Sequence, residues 1–455
     1  MAEVKKEAAV VSLKLLIDDS KNRVVAAEAK KDLVDILFGF LALPMATVIR
    51  LTATSGATIG CMNKLYQGVQ NLGSEYWEEQ ICKTMVLNPR NPLADNCKNL
   101  GINIDDSGSE ITYGCSRLGC KYYSQYPNLS CHRCGRGTTT IERKSGGSNG
   151  SSEGAFLRGG IVFLISDDLR VRPASPTVFA QLVRDQLGSN QLREMCVDVC
   201  KDEVIGLLAR SLVSESPLSD LFLGNKGGAL NPQTKLVTKF SSSSIAKAVH
   251  TTPLKDPTTT TTTTLNLKVT SNKSRNKILF AEATDEFFDF LCSFLTTPIG
   301  SMAHVLEGSS GLKCIDNLYL SVLELEDKWF LSKMKSELQN PNIAQHHKCK
   351  TQPLKLERLT SARSIYLMNP RGINSNNFAR EPSLFVVPDD FEVKPLSLST
   401  NINLMREANV GFRDMEEQLV TFRMQEALSL LKATLTSPSS ALTDGLSSFM
   451  QHHKA

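Results

Sequence analysis

Apolar and polar positions fall in blocks along the first 44 residues, and the same blocks return in the middle of the chain. Leu13–Ile17 (LKLLI) is an apolar run, Asp18–Asn22 (DDSKN) a polar turn cluster, and Arg23–Ala29 (RVVAAEA) a second apolar run. Two such runs around Asp, Ser and Asn predict a β-hairpin. From Lys30 to Ala42 apolar residues cover nearly every face of a helical projection, which predicts a helix central to a core. Leu267–Pro298 repeats Leu13–Pro44 at a constant offset of 254 residues, with 12 of 32 pairs identical. Chance would supply about two. Thr297-Pro298 reads as an N-cap followed by proline at the first helical position, and Pro44 is expected to open a helix in the same way. The lone acids Glu28 and Glu282, each set in Ala-Glu-Ala, are expected to face a helix or cap it.

The parallel continues beyond the prolines. Cys61–Val69 (CMNKLYQGV) answers Cys314–Val322 (CIDNLYLSV), and Trp77 is set opposite Trp329, the second of only two tryptophans. Phe163–Pro173 (FLISDDLRVRP) answers Phe385–Pro395 (FVVPDDFEVKP), each a strand, an Asp-Asp turn and a strand. Glu194–Val199 and Glu416–Phe422 alternate like strands and run into amphipathic helices ending near Leu212 and Leu435. Each unit reads hairpin, helices, hairpin, strand, helix. That order predicts an α+β fold of two tandem repeated units, each a mostly antiparallel sheet packed with helices. The units span 10–222 and 265–448. Residues 223–264, with threonines from Thr258 to Thr264, read as a flexible, mildly basic linker.

Composition narrows this little. A chain of 455 residues suits two or three domains, and a net charge of +4 over that length is no footprint for nucleic acid. The N-terminus has no cleavable signal of the usual design, and Leu33–Ile49 is interrupted by Asp35 and Pro44, so neither export nor a membrane span is expected. Twelve cysteines at irregular spacing then point to reduced thiols in the cytoplasm or nucleus.

The units differ in one place. From Glu28 to Asp167 is 139 residues, against 107 from Glu282 to Asp389. The surplus is Gly114–Gly137 (GCSRLGCKYYSQYPNLSCHRCGRG), within an insert at about 111–137, followed by a Gly/Ser-rich loop at about 144–154. It holds Cys115, Cys120, Cys131 and Cys134, spaced C-x4-C-x10-C-x2-C. Two close pairs across a short excursion can set four thiolates around one ion, as tetrahedral zinc requires. Glycines at 114, 119 and 135 suit knuckle turns around sulfur. Four cysteines close the coordination sphere, which makes the expected Zn2+ structural and leaves His132 a bystander. Free thiols in a small core, or a redox pair at Cys131 and Cys134, are the alternatives. Tyr122, Tyr123 and Tyr126 interleave with Arg117, Lys121, Arg133, Arg136, Arg143 and Lys144, a pattern that can stack bases and meet phosphates. The plainer reading is that the tyrosines pack the module.

Two catalytic signatures are missing: there is no GxxxxGK[ST] and no HExxH. The pairs Asp18/Asp19, Asp105/Asp106, Asp167/Asp168 and Asp389/Asp390 read as turn residues. His346, His347 and Cys349 read as a solvated polar loop, and Cys61, Cys196, Cys200 and Cys314 as small core residues. No catalytic residue is assigned. The leading expectation is a non-catalytic interaction or scaffold protein with a protein partner. The alternatives are RNA or DNA binding through the insert, and an enzyme with its cleft between the units.

Taken together, LKLLIDDSKNRVVAAEA, the GCMNKLYQGVQNL and KCIDNLYLSVLEL helices, VLNPRNP (Val86–Pro92), the Cys115–Cys134 cluster, FVVPDDFEVKP and EALSLLKATLTSPSSALTDGL (Glu426–Leu446) resemble one family. It is the plant-expanded family catalogued as domain of unknown function six-seven-four. The threonine tract departs from that pattern, and the second unit keeps little of the cysteine cluster beyond Cys349. The resemblance implies duplicated α+β units with a cysteine site and carries no activity.

Overall fold

The structure is a computed structural model that describes residues 10–107, 112–141, 154–186, 192–224, 264–274, 277–354, 356, 366–372, 375–409 and 411–450. The expected linker at 223–264 and the Gly/Ser loop at 144–154 lie almost wholly outside these residues. The first half opens with β1 (Val11–Asp18), β2 (Arg23–Lys30), α1 (Lys31–Ala42), α2 (Met45–Thr52), α3 (Met62–Asn71), α4 (Gln80–Leu87) and α5 (Ala94–Cys97). There follow the short strands β3 (Thr112–Cys115), β4 (Tyr123–Ser124) and β5 (Thr138–Ile141). It closes with β6 (Val162–Ser166), β7 (Val171–Pro173), α6 (Pro176–Gln186), β8 (Leu192–Val199), α7 (Lys201–Val213) and α8 (Pro217–Phe222). The second half begins with β9 (Leu265–Asn272), β10 (Lys277–Thr284), α9 (Asp285–Thr296), α10 (Ile299–Val305), α11 (Lys313–Glu324) and α12 (Met334–Gln339). It ends with β11 (Leu384–Pro388), β12 (Lys394–Pro395), α13 (Leu398–Ala408), β13 (Met415–Phe422), α14 (Met424–Thr436) and α15 (Ala441–Leu446).

The fold is α+β, with antiparallel pairing throughout the described strands. One sheet runs β7-β6-β2-β1-β8 and the other β12-β11-β10-β9-β13, the same order position for position. Both expected hairpins form, Asp18 pairing with Arg23 and Asn272 with Lys277. In each, a register shift bends the strand pair, at Leu16/Ile17 and at Ile278/Phe280. Helix α1 is buried from Leu33 to Ala42, as its all-round apolar pattern requires, and α9 is buried from Phe287 to Thr296. The sequence reading missed α6 and α13. Their apolar stripes are narrow, and each covers only part of a sheet's outer face, where Leu182 meets Leu16, Ala26 and Leu164.

The halves share one core. Buried apolar residues from Leu13 to Leu446 form a single cluster. Helix α1 packs on α10 and α11 of the other half, and α9 packs on α2, α3 and α4. Phe38 stacks near Phe330 at 6.3 Å, and Trp77 meets Phe288 edge-on at 5.5 Å. Each such ring contributes about 1.5–3 kcal/mol by burial alone.

Pro44 and Pro298 sit at the crossing and bridge one another. The amide of Met45 donates to Thr297 O at 3.1 Å, and that of Ile299 to Leu43 O at 3.0 Å. This corrects the expected caps. Each proline precedes its helix by one residue, and Thr297 closes α9, its hydroxyl donating back to Ser293 O at 2.6 Å. The prolines begin helices by joining the two halves rather than by filling a first turn.

The matched cysteines do the same work. The Cys61 thiol donates to Ser437 O at 3.0 Å, and the Cys314 thiol to Ser214 O at 3.1 Å. Each therefore satisfies a carbonyl at the end of the opposite half's last long helix. Burial pushes both thiols up, Cys61 to about 12, so they stay protonated donors. Cys196 and Cys200 correct the sequence reading, since Cys196 is exposed and the Cys200 amide donates to Glu203 at 3.0 Å ahead of α7.

Gly68 and Ser321, aligned in the repeated helix, solve one packing problem in two ways. Ser321 Oγ accepts from the Val171 amide at 2.9 Å. A Cβ on Gly68 would lie 2.6 Å from Val393 N, backbone that cannot swing aside. Gly68→Ala is expected to cost about 1–3 kcal/mol by overpacking, read as a lower urea midpoint, whereas Gly137→Ala, facing open space, should leave it unchanged.

Candidate metal centre

The Gly114–Gly137 module is a three-stranded sheet, β4-β3-β5, with the cysteines at its rim. Cys115 ends β3 and pairs with Thr138. The chain then turns tightly: Cys120 N donates to Arg117 O at 3.1 Å, and Gly119 takes φ +78°, left-handed backbone that a side chain would strain. The second knuckle closes by Gly135 N to Cys131 O at 2.8 Å, with Gly135 at φ +69°. Gly114 lies under the Ile141 side chain, which would have to swing aside for a Cβ there.

These turns bring all four sulfurs within 4.8 Å of one another. Cys115 Sγ is 3.3 Å from Cys134 Sγ, and Cys120 Sγ is 3.8 Å from Cys131 Sγ. A tetrahedron with Zn–S bonds of about 2.3 Å has edges of about 3.8 Å, so the donor set fits that ion. The Arg117 amide, 3.4 Å from Cys115 Sγ, favours the thiolate there. Desolvation and the three neighbouring sulfurs outweigh it and push the Cys115 thiol up to about 12. Were all four to ionise, thiolates held this closely would need a cation among them. His132 falls outside the set.

The module is anchored into the second half. Met368 N donates to Tyr123 O at 2.8 Å, beside a parallel bridge between Tyr123 and Leu367. Tyr122 packs edge-on against Tyr366 at 5.7 Å, and Tyr126 is buried with the Arg90 guanidinium 5.4 Å above its ring. Tyr126 Oη lies 3.2 Å from His347 Nε2, while His347 Nδ1 lies 3.0 Å from Gln345 O. A carbonyl only accepts, so Nδ1 carries the proton and the Tyr126 hydroxyl donates to Nε2. Burial drives the His347 pKa down to about 3 and pushes Tyr126 up to about 12, which keeps both neutral. The solvated-loop reading of His346–Cys349 is thereby corrected: His347 is 1% exposed and Cys349 3%. Tertiary packing of the insert over a polar stretch, invisible in a local window, buries them.

Other candidates resolve differently. No hydrogen bond among the described residues ties Glu28 or Glu282 to a helix. Glu28 is exposed on its sheet's outer face, and Glu282 reaches Lys268 at 3.5 Å. The tryptophans do not occupy equivalent places. Arg158 N donates to Trp329 O and Arg380 N to Tyr76 O, which pairs Trp329 with Tyr76 and leaves buried Trp77 opposite Phe330. Of the Asp-Asp turns, Asp167 accepts from the Ser219 amide and hydroxyl, and Asp389 likewise from Thr443. Each carboxylate ties its hairpin to the short helix after it. A polar pocket of 490 Å³ beside Asp389 is lined by Lys277, Asp390, Glu392 and Lys394. Both of its lysines are paired, Lys277 with Asp389 at 3.7 Å and Lys394 with Glu392 at 3.5 Å.

The sequence reading missed the roles of Asp35 and Asp289, the buried acids of the two most apolar helices. Asp35 accepts from the amides of Ala155, Phe156 and Leu157 at 2.9–3.2 Å. Asp289 accepts from Phe378 and Ala379 at 2.8–3.1 Å. Their identity in the aligned repeat was the available signal.

No helix among the described residues is long and apolar enough to cross a membrane. No curated protein and no solved structure matches the chain. The family profile described as protein of unknown function (DUF674) matches residues 7–425, nearly the whole chain. The chain belongs to the DUF674 family.

Proposed function

We propose that this chain is a non-catalytic interaction protein whose first half carries a structural zinc module. The observation that carries the reading is the closed set of four cysteine sulfurs. With all four positions filled by protein, bound zinc has no site left for substrate and acts by holding the two knuckles together. Thiolates are soft donors, and a compact four-sulfur set suits zinc. Burial of carboxylates such as Asp35, Asp167 and Asp289 supports the non-catalytic part, because each is spent on hydrogen bonds within the fold. Twelve cysteines without a disulfide, four of them in the metal set, suit the cytoplasm or nucleus. The two halves, 10–222 and 265–448, are read as products of a duplication that now depend on one shared core.

Elemental analysis of the purified full chain is expected to find about one zinc per chain, and X-ray absorption to find a four-sulfur shell at about 2.3 Å. A folded, metal-free protein would sink the zinc reading, and stoichiometric iron would replace it.

A further inference from the structure

We propose that the exposed tip of the metal module is a docking surface for an acidic peptide segment that carries an apolar pocket or side chain, presented by a protein partner. The proposal rests on the zinc reading, since only a closed metal centre holds both knuckles in one place.

Three observations carry it. First, charge: residues 112–141 contain Arg117, Lys121, Arg133 and Arg136 and no Asp or Glu. All four cations are exposed, and none makes an ion pair among the described residues. Even against the net charge of a zinc ion with four thiolates, the surplus around the tip is positive. Arginine predominates, and its planar fork suits carboxylate. Second, an apolar anchor: Leu118 stands between Arg117 and Gly119 at the summit of the first knuckle and is 101% exposed. A fully protruding leucine next to the exposed Arg117 buries no apolar surface within this fold. It is the arrangement that a mixed acidic and apolar partner would cover. Third, direction: Tyr122 packs its ring on Tyr366, Tyr126 bonds His347, and the backbone carbonyl of Tyr123 accepts from Met368 N, so this edge of the module faces the body. The anchored side is thus the tyrosine side, and the knuckles converge at the sulfur end.

The third observation also separates peptide from nucleic acid. Single strands need aromatic platforms for base stacking, and Tyr122 and Tyr126 are committed elsewhere. A phosphate backbone offers Leu118 no apolar surface, whereas an acidic peptide offers both.

The test is selection of random linear peptides on the full zinc-loaded chain, with single-stranded RNA and duplex DNA titrated separately by fluorescence anisotropy. The expected result is enrichment of net-negative peptides with at least one large apolar residue, whose binding weakens as salt rises. Leu118→Ser should weaken an enriched peptide about tenfold, and Arg117→Glu with Arg133→Glu should abolish it. Both variants should keep the wild-type metal content, because neither changes a ligand. The proposal is overturned by enrichment of nothing, by peptides without net negative charge, by equal binding to the variants, or by RNA or DNA binding at the tip that these substitutions remove. A wild-type chain that lacks zinc would instead overturn the underlying zinc reading, so the two failures are told apart by metal content.

Discussion

Cys131→Ser combined with Cys134→Ser is expected to strip the zinc from the chain and unfold the module while both large sheets stay folded. The module cannot stand on apolar burial. Its strands have four, two and four residues, and Tyr126 and Cys131 are its only buried hydrophobic residues. Structural zinc in small knuckles has an apparent binding free energy of about 10–16 kcal/mol, far more than so small a core supplies. Serine hydroxyls do not replace thiolates, so the second knuckle loses both its ligands at once. Hydrogen exchange should rise throughout 112–141, and proteolysis should cut there. Strands β1, β2, β9 and β10 should keep their protection, because they belong to the shared core. If the metal-free variant kept a protected module, the zinc would not be structural.

The second large effect belongs to Asp289. Asp289→Ala is expected to cost about 2–6 kcal/mol, from one to three for each buried amide left without an acceptor. The two amides are those of Phe378 and Ala379. This extended segment also meets the opposite half, Glu78 N donating to Phe378 O at 2.9 Å and Arg380 N to Tyr76 O at 3.0 Å. Removing the carboxylate therefore loosens a strap between the halves. Against a total stability of about 5–15 kcal/mol, that loss approaches unfolding. A urea titration reads it directly, and an unchanged midpoint would refute the role.

The same carboxyl predicts a pH effect of definite sign. Burial pushes Asp289 from 3.8 up to about 7, opposed by the Ala379 and Phe378 amides and by Arg371. Burial likewise pushes Asp35 and Asp389 up to about 6. A raised folded pKa means the native state binds more protons than the unfolded chain between 3.8 and the raised value. The stabilising contribution of these protons is complete below 3.8 and lost as pH rises through 6 to 7. Stability should therefore fall from mild acid towards neutrality, by at most about 1.4 kcal/mol per pH unit for each group. Asp289→Asn, which cannot ionise, should flatten that slope in a urea series.

Much of the architecture was legible locally. The two hairpins, the buried helices after them, the Asp-Asp turns and the closing strand–helix pairs follow from apolar periodicity and turn chemistry, because those are set by neighbours a few residues apart. The four cysteines were legible for the same reason, since knuckle turns are local and thiols at that spacing have few other uses. Helices α6 and α13 were lost because an outer-face helix needs only a narrow apolar stripe.

What the sequence by itself determined is the set of parts: two α+β strand sequences in the same order and one cysteine module inserted in the first. Only the tertiary structure decided that the parts are not independent. Helices of each half pack against the other, Pro44 meets Pro298, and Cys61 and Cys314 each close a helix of the opposite half. It also decided that His347 is buried beneath Tyr126, that Trp77 faces Phe330's place rather than Trp329's, and that Asp35 and Asp289 are straps rather than anomalies. The physical reason is common to all of these. A residue's burial and partners depend on chain segments that lie a hundred or more residues away, and no window of periodicity contains them.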